Sequence, residues 1–369
     1  MKKKMIVHFL PESGFSAGYI NFMKLCIPEF EHHFFVPDSL KFVKINSWRF
    51  YNNDNVYYYR NLISTLLRSE YRRILKRCNM IINSGVYHSP MIKAFMIASG
   101  LIYKTYIQFW EDSFSYYAES TNSILHPRRF MGKLLTTIFL ERSAGTINLI
   151  DGDREILKRA FPNLSRYFVA QMPADPLEIH NFTAIIRAND KHVEGGVHKL
   201  LVGHSAFDSG RHIDAFRILE HLKDENIEII APLSYGNPEY RDEVIKAGKN
   251  IFGSKFTPIT DLMSKDDYIN FLAQCDAGIY ATRTQQAMGN IHLLLRLGKK
   301  VYIREDNPMW PHFTDNLEFS VYPFSQLEGI TLEQLINFPQ ETAYNNIRVA
   351  EELEAPTQAV EQWRKVFAD

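Results

Sequence analysis

The densest polar constellation in this 369-residue chain is Arg283-Thr284-Gln285-Gln286-Ala287-Met288-Gly289-Asn290. It supplies one cation, one hydroxyl and three side-chain amides at the start of a helix-length amphipathic stretch, 287–297. The first N–H groups of a helix lack intrahelical partners and sit in a positive potential, so donors placed there suit a diphosphate. Capping alone needs one Ser, Thr, Asp or Asn, and explains neither the arginine nor two consecutive glutamines. Three more clusters follow apolar runs in the same way. Gly203-His204-Ser205 offers a glycine that lets backbone N–H groups approach a phosphate, although a plain strand-to-helix turn carries the same residues. Tyr235-Gly236 offers a ring for stacking and a hydroxyl, or is simply a turn. In Arg304-Glu305-Asp306 the Glu305 carboxylate suits a sugar hydroxyl, or belongs to a solvated charged turn.

These clusters need elements to position them. In the carboxy-terminal half, apolar runs at Lys199 to Val202, Ile227 to Ala231, Ala277 to Tyr280 and Lys300 to Ile303 alternate with amphipathic stretches at Ile213 to Leu222, Tyr240 to Ile251, Lys265 to Ala273 and Ala287 to Leu297. Strand then helix, repeated, predicts a parallel sheet covered on both faces. Gly298 lies where a left-handed C-cap is expected. The amino-terminal half reads similarly, with strands at Met5 to Leu10, Met80 to Asn83, Thr105 to Phe109 and Gly145 to Leu149 and a helix at Asn61 to Cys78. The fold class is therefore α/β, with two Rossmann-like domains whose parallel sheets face a central cleft. The expected boundaries are 1–175 for the first domain, 176–198 for a polar linker, 199–350 for the second domain, and 351–369 for a final helix packing back on the first. Ligands collect at the carboxyl ends of strands in such folds.

Composition narrows the classes. With 46% hydrophobic and 23% charged residues, disorder and collagen-like structure are excluded. The three cysteines, Cys26, Cys78 and Cys275, have no metal-site or disulfide spacing and suit a reducing compartment. No window approaches the roughly 18 apolar residues of a membrane span, and the run after Met5 reads as a first strand because Pro11 and Glu12 end it. The zero net charge hides an asymmetry: residues 1–180 carry 23 Lys and Arg against 15 Asp and Glu, and the remainder 19 against 27. Opposed halves suggest different partners for the two domains. Asp151-Gly152-Asp153 has the spacing of a metal-binding acid pair, but Arg154 follows and a helix begins there, so first-turn acids account for it. No metal ligand is assigned.

The ordered segments GHS with its RHIDAF-like helix, PLSYG with Tyr240, CDAGIY with RTQQAMGN, and LGKKVYIREDNPMW resemble the motifs of glycosyltransferase family 56, the TDP-4-acetamidofucose:lipid II transferases of enterobacterial common antigen synthesis. The resemblance is clearest over residues 199–312, with weaker echoes in Phe109-Trp110-Glu111-Asp112, Gly152-Asp153, and Met172-Pro173 with Asp175-Pro176. It implies a GT-B fold with a nucleoside-diphosphate sugar, TDP- or UDP-linked, on the second domain and a polyprenyl-diphosphate-linked saccharide acceptor on the first. Gly203, His204, Ser205, Tyr235, Gly236, Arg283, Gln285, Gln286, Gly289, Asn290 and Glu305 would hold the donor. This sequence departs from the family's Gly-Asn-Ser at His204, from its Gly-Thr at Asn290, and from its Trp-Gly-x-Asp at Glu111. The expected activity is transfer of a deoxyamino or related hexose during bacterial surface polysaccharide synthesis, without an obligatory metal or other cofactor.

Transfer requires stabilisation of the leaving diphosphate and a base for the acceptor hydroxyl. Asp112 and Glu111 follow a first-domain strand and are the catalytic candidates, with Glu12 and His8 behind them; a histidine inside a strand is more often a core residue. Arg68, Arg72, Arg73, Lys76 and Arg77 on one amphipathic helix, and Arg128, Arg129 and Lys133 on a second, suit an anionic bilayer, which places the protein in the bacterial cytoplasm, peripheral on the inner face of the membrane. Each helix is equally well explained by one packed and one solvated face. Nucleic acid is not an expected partner. The alternatives are a non-hydrolysing nucleotide-sugar epimerase and a non-catalytic nucleotide-sugar-binding assembly protein.

Overall fold

A computed structural model of the chain describes residues 3–11, 15–38, 54–85, 89–110, 127–173, 175–177, 180–189 and 196–369, with side chains from 132 onward in the helix starting at Pro127. The chain divides into two compact units, Met1–Ile179 with Ala355–Asp369, and His180–Glu354.

In the first unit, β1 (Met5–Phe9), β2 (Glu31–Pro37), β3 (Val56–Tyr59), β4 (Met80–Ser84), β5 (Thr105–Gln108), β6 (Gly145–Asn148) and β7 (Tyr167–Val169) form a sheet in the order β3-β2-β1-β4-β5-β6-β7. Every pairing is parallel. Alternation along the strands sorts side chains onto two faces. Ile6, Leu10, Ile82, Tyr106 and Ile147 pack with Tyr19 and Phe22 of the helix Phe15–Cys26 and with Trp363, Val366 and Phe367 of the helix Pro356–Ala368. Val7, Phe9 and Ile81 face the other way, toward Leu62, Leu66 and Leu75, while Ile107 and Phe109 pack on Phe139 and Leu140. The basic stretch expected as one helix is two, Leu62–Leu66 and Ser69–Arg77, because Arg68 takes an extended backbone with ψ 139°.

The second unit repeats the plan. Its strands β8 (His198–Val202), β9 (Ile227–Pro232), β10 (Phe256–Ile259), β11 (Ala277–Tyr280), β12 (Lys300–Ile303) and β13 (Tyr322–Pro323) lie in the order β10-β9-β8-β11-β12-β13, again all parallel. Both sheets thus reverse direction of strand addition at one place, between β1 and β4 and between β8 and β11. Gly278 explains how closely the helix Met288–Arg296 packs on β11, since a Cβ there would lie 2.4 Å from Leu294 Cδ1. That helix ends at Gly298, whose φ of 69° and N–H bond to the Leu295 carbonyl make the expected left-handed cap. The stretch expected as a linker holds the helix Phe182–Asn189, which belongs to this unit. Phe182 lies under the Arg296 guanidinium at 4.5 Å, and Arg296 also pairs with Glu351 and Glu354 at 3.0 and 3.2 Å. One arginine thus fastens both segments adjoining the unit's boundaries.

Candidate functional site

In doubly wound sheets, ligands bind beyond the carboxyl ends of the strands where the strand order reverses. In the second unit that place is the end of β8 beside the end of β11. The Gly203 N–H donates to the Ile279 carbonyl at 3.0 Å, so the two strand ends are joined through the glycine. Gly203 has φ 71°, and a Cβ on it would lie 2.2 Å from Nε2 of His212. Only glycine allows this imidazole to press against the backbone. His212 is solvent-free; its backbone N–H donates to the Tyr240 hydroxyl at 3.1 Å, while its Nε2 has no partner. Burial, with a smaller contribution from His204, lowers its pKa to about 3. His204 is lowered to about 4 by burial, and its Nε2 lies 3.2 Å from Ser205 Oγ. Both rings are therefore neutral at pH 7. Gly236, at φ 123°, crosses the Ala206 backbone so closely that a Cβ would meet the Ala206 carbonyl carbon at 2.5 Å. This crossing presents Tyr235, 46% exposed, edge-on to His204 and Phe207 at ring separations of 6.4 and 6.2 Å.

The segment after β11 is the other wall. Thr282 Oγ1 accepts from the Thr284 N–H at 3.2 Å, and Asn307 Nδ2 donates to the Thr282 and Thr284 carbonyls at 2.8 and 3.0 Å. The loop after β12 thereby staples the loop after β11. Ala287 precedes the helix Met288–Arg296 with φ 59° and gives it no side-chain cap, so its leading N–H groups remain available. Gln285 is 2% exposed and its Nε2 has no partner; Gln286 donates from Nε2 to Thr284 Oγ1 at 3.0 Å and leaves Oε1 unpartnered. An unmet buried polar group costs about 1–3 kcal/mol, and two such amides lie beside this uncapped helix start. Around Gly289 a Cβ would meet nothing within 4 Å, so packing does not require glycine there.

The other expected donor residues divide. Arg283 is exposed and lies 3.6 Å from Asp306, whose carboxyl is held below its usual range by hydrogen bonds from Arg304. Asn290 Nδ2 donates to the Tyr268 hydroxyl at 3.0 Å, a phenol raised by burial. Glu305 turns to Ser325, accepting from its hydroxyl and, at 3.4 Å, from its N–H. Its carboxylate thus already has partners on the β13 side. His212, Tyr240, Asn307 and Tyr268 hold the site together, and none of the four is among the residues expected from the sequence to hold the donor; for His212 the signal was a glycine two positions before it in a polar loop.

In the first unit, Glu111, Asp112 and Glu12 lie outside the described residues. His8 is a core residue: its Nδ1 meets the Tyr19 hydroxyl at 3.0 Å and its Nε2 meets His32 Nδ1 at 2.9 Å, with Phe34 stacked at 4.7 Å. Arg72, Arg73, Lys76 and Arg77 are exposed and form no ion pair among the described residues, while Tyr71, Ile74 and Leu75 on the same helix face the core. Arg128 and Arg129 have undescribed side chains. Asp151 pairs with Arg154 at 3.0 Å, and Asp153 stands in the first turn of the helix Asp153–Ala160. Among the described residues no helix is long and apolar enough to cross a membrane.

A family model described as 4-alpha-L-fucosyltransferase, glycosyl transferase group 56, matches residues 140–335, more than half of the chain. The chain belongs to this glycosyltransferase family. The matched region of the group 56 enzyme runs from the end of the helix Pro127–Glu141 to the helix Leu332–Ile336 and contains both walls of the site above. A glycosyltransferase from Rickettsia africae superposes with a TM-score of 0.61 at 14% identity, covering 100% of this chain and 98% of the other. A UDP-forming trehalose-phosphate synthase from Burkholderia xenovorans gives 0.64 at 9% identity over 100% and 99%, and WaaG, a glycosyltransferase involved in lipopolysaccharide biosynthesis, gives 0.59 at 12% over 98% and 98%. At these identities the structures speak for the fold, which is GT-B with two Rossmann-like domains. As a glycosyltransferase, the enzyme has a nucleotide-sugar donor and an acceptor.

Proposed function

We propose that the group 56 enzyme transfers a deoxyamino hexose from a TDP- or UDP-linked donor, held by the second unit, to a polyprenyl-diphosphate-linked saccharide in bacterial surface polysaccharide synthesis. The observation that carries the donor site is the uncapped start of the helix Met288–Arg296 beside the buried, unpartnered Gln285 Nε2. In this reading the diphosphate accepts from the helix N–H groups and from Gln285, the open space at Gly289 lets a phosphate approach the backbone, and Arg283 supplies the countercharge. Tyr235 and the neutral His204 flank the nucleotide from the β8 and β9 side. The leaving charge is met by these groups, so transfer proceeds without an obligatory metal.

The exposed cations of the helix Ser69–Arg77, which form no ion pair among the described residues, support attachment of the first unit to an anionic membrane, on the cytoplasmic face where lipid-linked saccharides are extended. Asp112 acts as base toward the acceptor hydroxyl, with Glu111 as its direct competitor. The test is transfer to a polyprenyl-diphosphate-linked acceptor by Asp112→Asn and Glu111→Gln. The base variant should lose a hundredfold or more in turnover, on the scale of about 10²–10⁴ for general-base removal, with donor affinity unchanged. Near-normal transfer by both variants moves the base elsewhere, and absence of transfer by the wild-type chain with TDP- and UDP-sugars overturns the reading.

A further inference from the structure

Both walls of the site in the second unit carry an arginine tied to an aspartate, and a chain of charges joins them. On the β8 side Arg211 donates from Nε to Asp214 at 2.6 Å, with its Nη2 2.5 Å from the same oxygen. On the β11 side Arg283 lies 3.6 Å from Asp306. Between them stands Arg304, which grips both carboxylate oxygens of Asp306 at 2.7 and 2.8 Å. Hydrogen bonding to Asp306 raises the Arg304 guanidinium above its usual range, and the charges of Glu305 and Asp214 add to the effect. The signs therefore alternate through Arg211, Asp214, Arg304, Asp306 and Arg283. Each aspartate keeps a cation when its outer arginine is taken away, since Arg217 lies 4.0 Å from Asp214 and Arg304 stays on Asp306. Arg211 and Arg283 reach solvent with side chains 39% and 57% exposed, against 20% for Arg304.

Local structure does not account for an arginine at position 211. Its φ of 53° is a left-handed conformation that glycine adopts without strain. The helix His212–Leu219 takes no side-chain cap from it. Its pair with Asp214 is part-exposed, and such pairs add little to stability. A sugar diphosphate, in contrast, carries a negative charge on each phosphate, and Arg283 matches only one of them. We propose that Arg211 is the second cation of the diphosphate site, and that Asp214 and Asp306 hold the two arginines at its walls until the diphosphate displaces them. This rests on the donor-site reading and deepens it. Exchanging carboxylate for phosphate keeps each guanidinium in a charge-assisted pair. The carboxylates left behind remain beside Arg217 and Arg304, so no charge is stranded. After transfer the nucleoside diphosphate departs as the arginines return to their aspartates.

The test is calorimetric titration of the full chain with UDP and TDP. Arg211→Gln should weaken binding about tenfold or more. Arg211→Gly should weaken it equally while the melting temperature of the free protein stays level or rises, because glycine takes the left-handed turn freely. Asp214→Asn and Asp306→Asn free the arginines from a competing anion, so each should tighten binding about threefold, the scale of an exposed ion pair. Placed on Arg211→Gln, Asp214→Asn should have no further effect, a coupling that a merely structural aspartate would lack. Weaker binding in both aspartate variants, or a gain from Asp214→Asn that persists without Arg211, overturns the inference. Absence of binding by the wild type overturns the donor site and this inference together, whereas wild-type binding that Arg211→Gln leaves unchanged overturns this inference alone.

Discussion

Lowering the pH from 7.5 to 5.5 should weaken the second unit by about 5 kcal/mol through four histidines. His204 and His292 have folded pKa values of about 4, and His212 and His312 of about 3, all set mainly by burial. The unfolded chain titrates near 6.5, so below that value it binds protons which the folded unit refuses, and stability falls with pH. At pH 5.5, one unit below 6.5, each ring contributes a loss of about 1.4 kcal/mol, a large share of the roughly 5–15 kcal/mol that holds a typical domain together. In the first unit His32, also at about 4, and His8, lowered mainly by burial, act in the same direction. Carboxylates held below their usual range, such as Asp306, lose their stabilising effect only at more acid pH. The assay is denaturant unfolding at fixed ionic strength, with a His212→Gln variant as the control. The variant should recover about 1.4 kcal/mol of the difference between the two pH values. An unfolding midpoint that does not move between pH 7.5 and 5.5, or an identical pH slope in His212→Gln, would refute the argument.

Two glycines in the site should behave oppositely. Gly203→Ala brings a Cβ to 2.2 Å from His212 Nε2 at φ 71° and should destabilise by about 2–5 kcal/mol, from the left-handed backbone and the displaced ring together. Gly289→Ala meets no atom within 4 Å and should stabilise the free protein by about 0.5–1 kcal/mol while weakening nucleotide binding; a weakened fold or an unchanged nucleotide affinity contradicts this. Neutralising Arg72, Arg73, Lys76 and Arg77 together should abolish salt-sensitive sedimentation with anionic vesicles, since the attraction acts over a screening length of about 8 Å at physiological salt. Equal binding of the wild type to neutral and anionic vesicles contradicts it.

The strands that carry the site were legible because they are short, apolar and bounded by glycine or polar residues: Ala277–Tyr280 and Lys300–Ile303 lie where their patterns put them. β2 was missed because His32 and His33 interrupt the hydrophobic run, although both are buried and hydrogen-bonded through Ile27 and Glu31. β3 is an edge strand of tyrosines, partly exposed rather than a buried apolar run, and β13, with two residues, is too short to show a period. The break at Arg68 between two helices has no Gly or Pro to announce it. At the site, residue types made the 283–290 segment visible, whereas the roles of His212 and Asn307 come from tertiary contacts that spacing cannot encode.

The donor site is tested most directly by titrating TDP and UDP into the full chain and into Gln285→Met. Because the Gln285 Nε2 has no partner in the folded protein, removing it should leave the melting temperature of the free protein level or higher. At least one of the two nucleotides should bind the wild type and bind Gln285→Met at least tenfold more weakly, equivalent to about 1.4 kcal/mol. Equal affinity in the two proteins, with both fully folded, would contradict it.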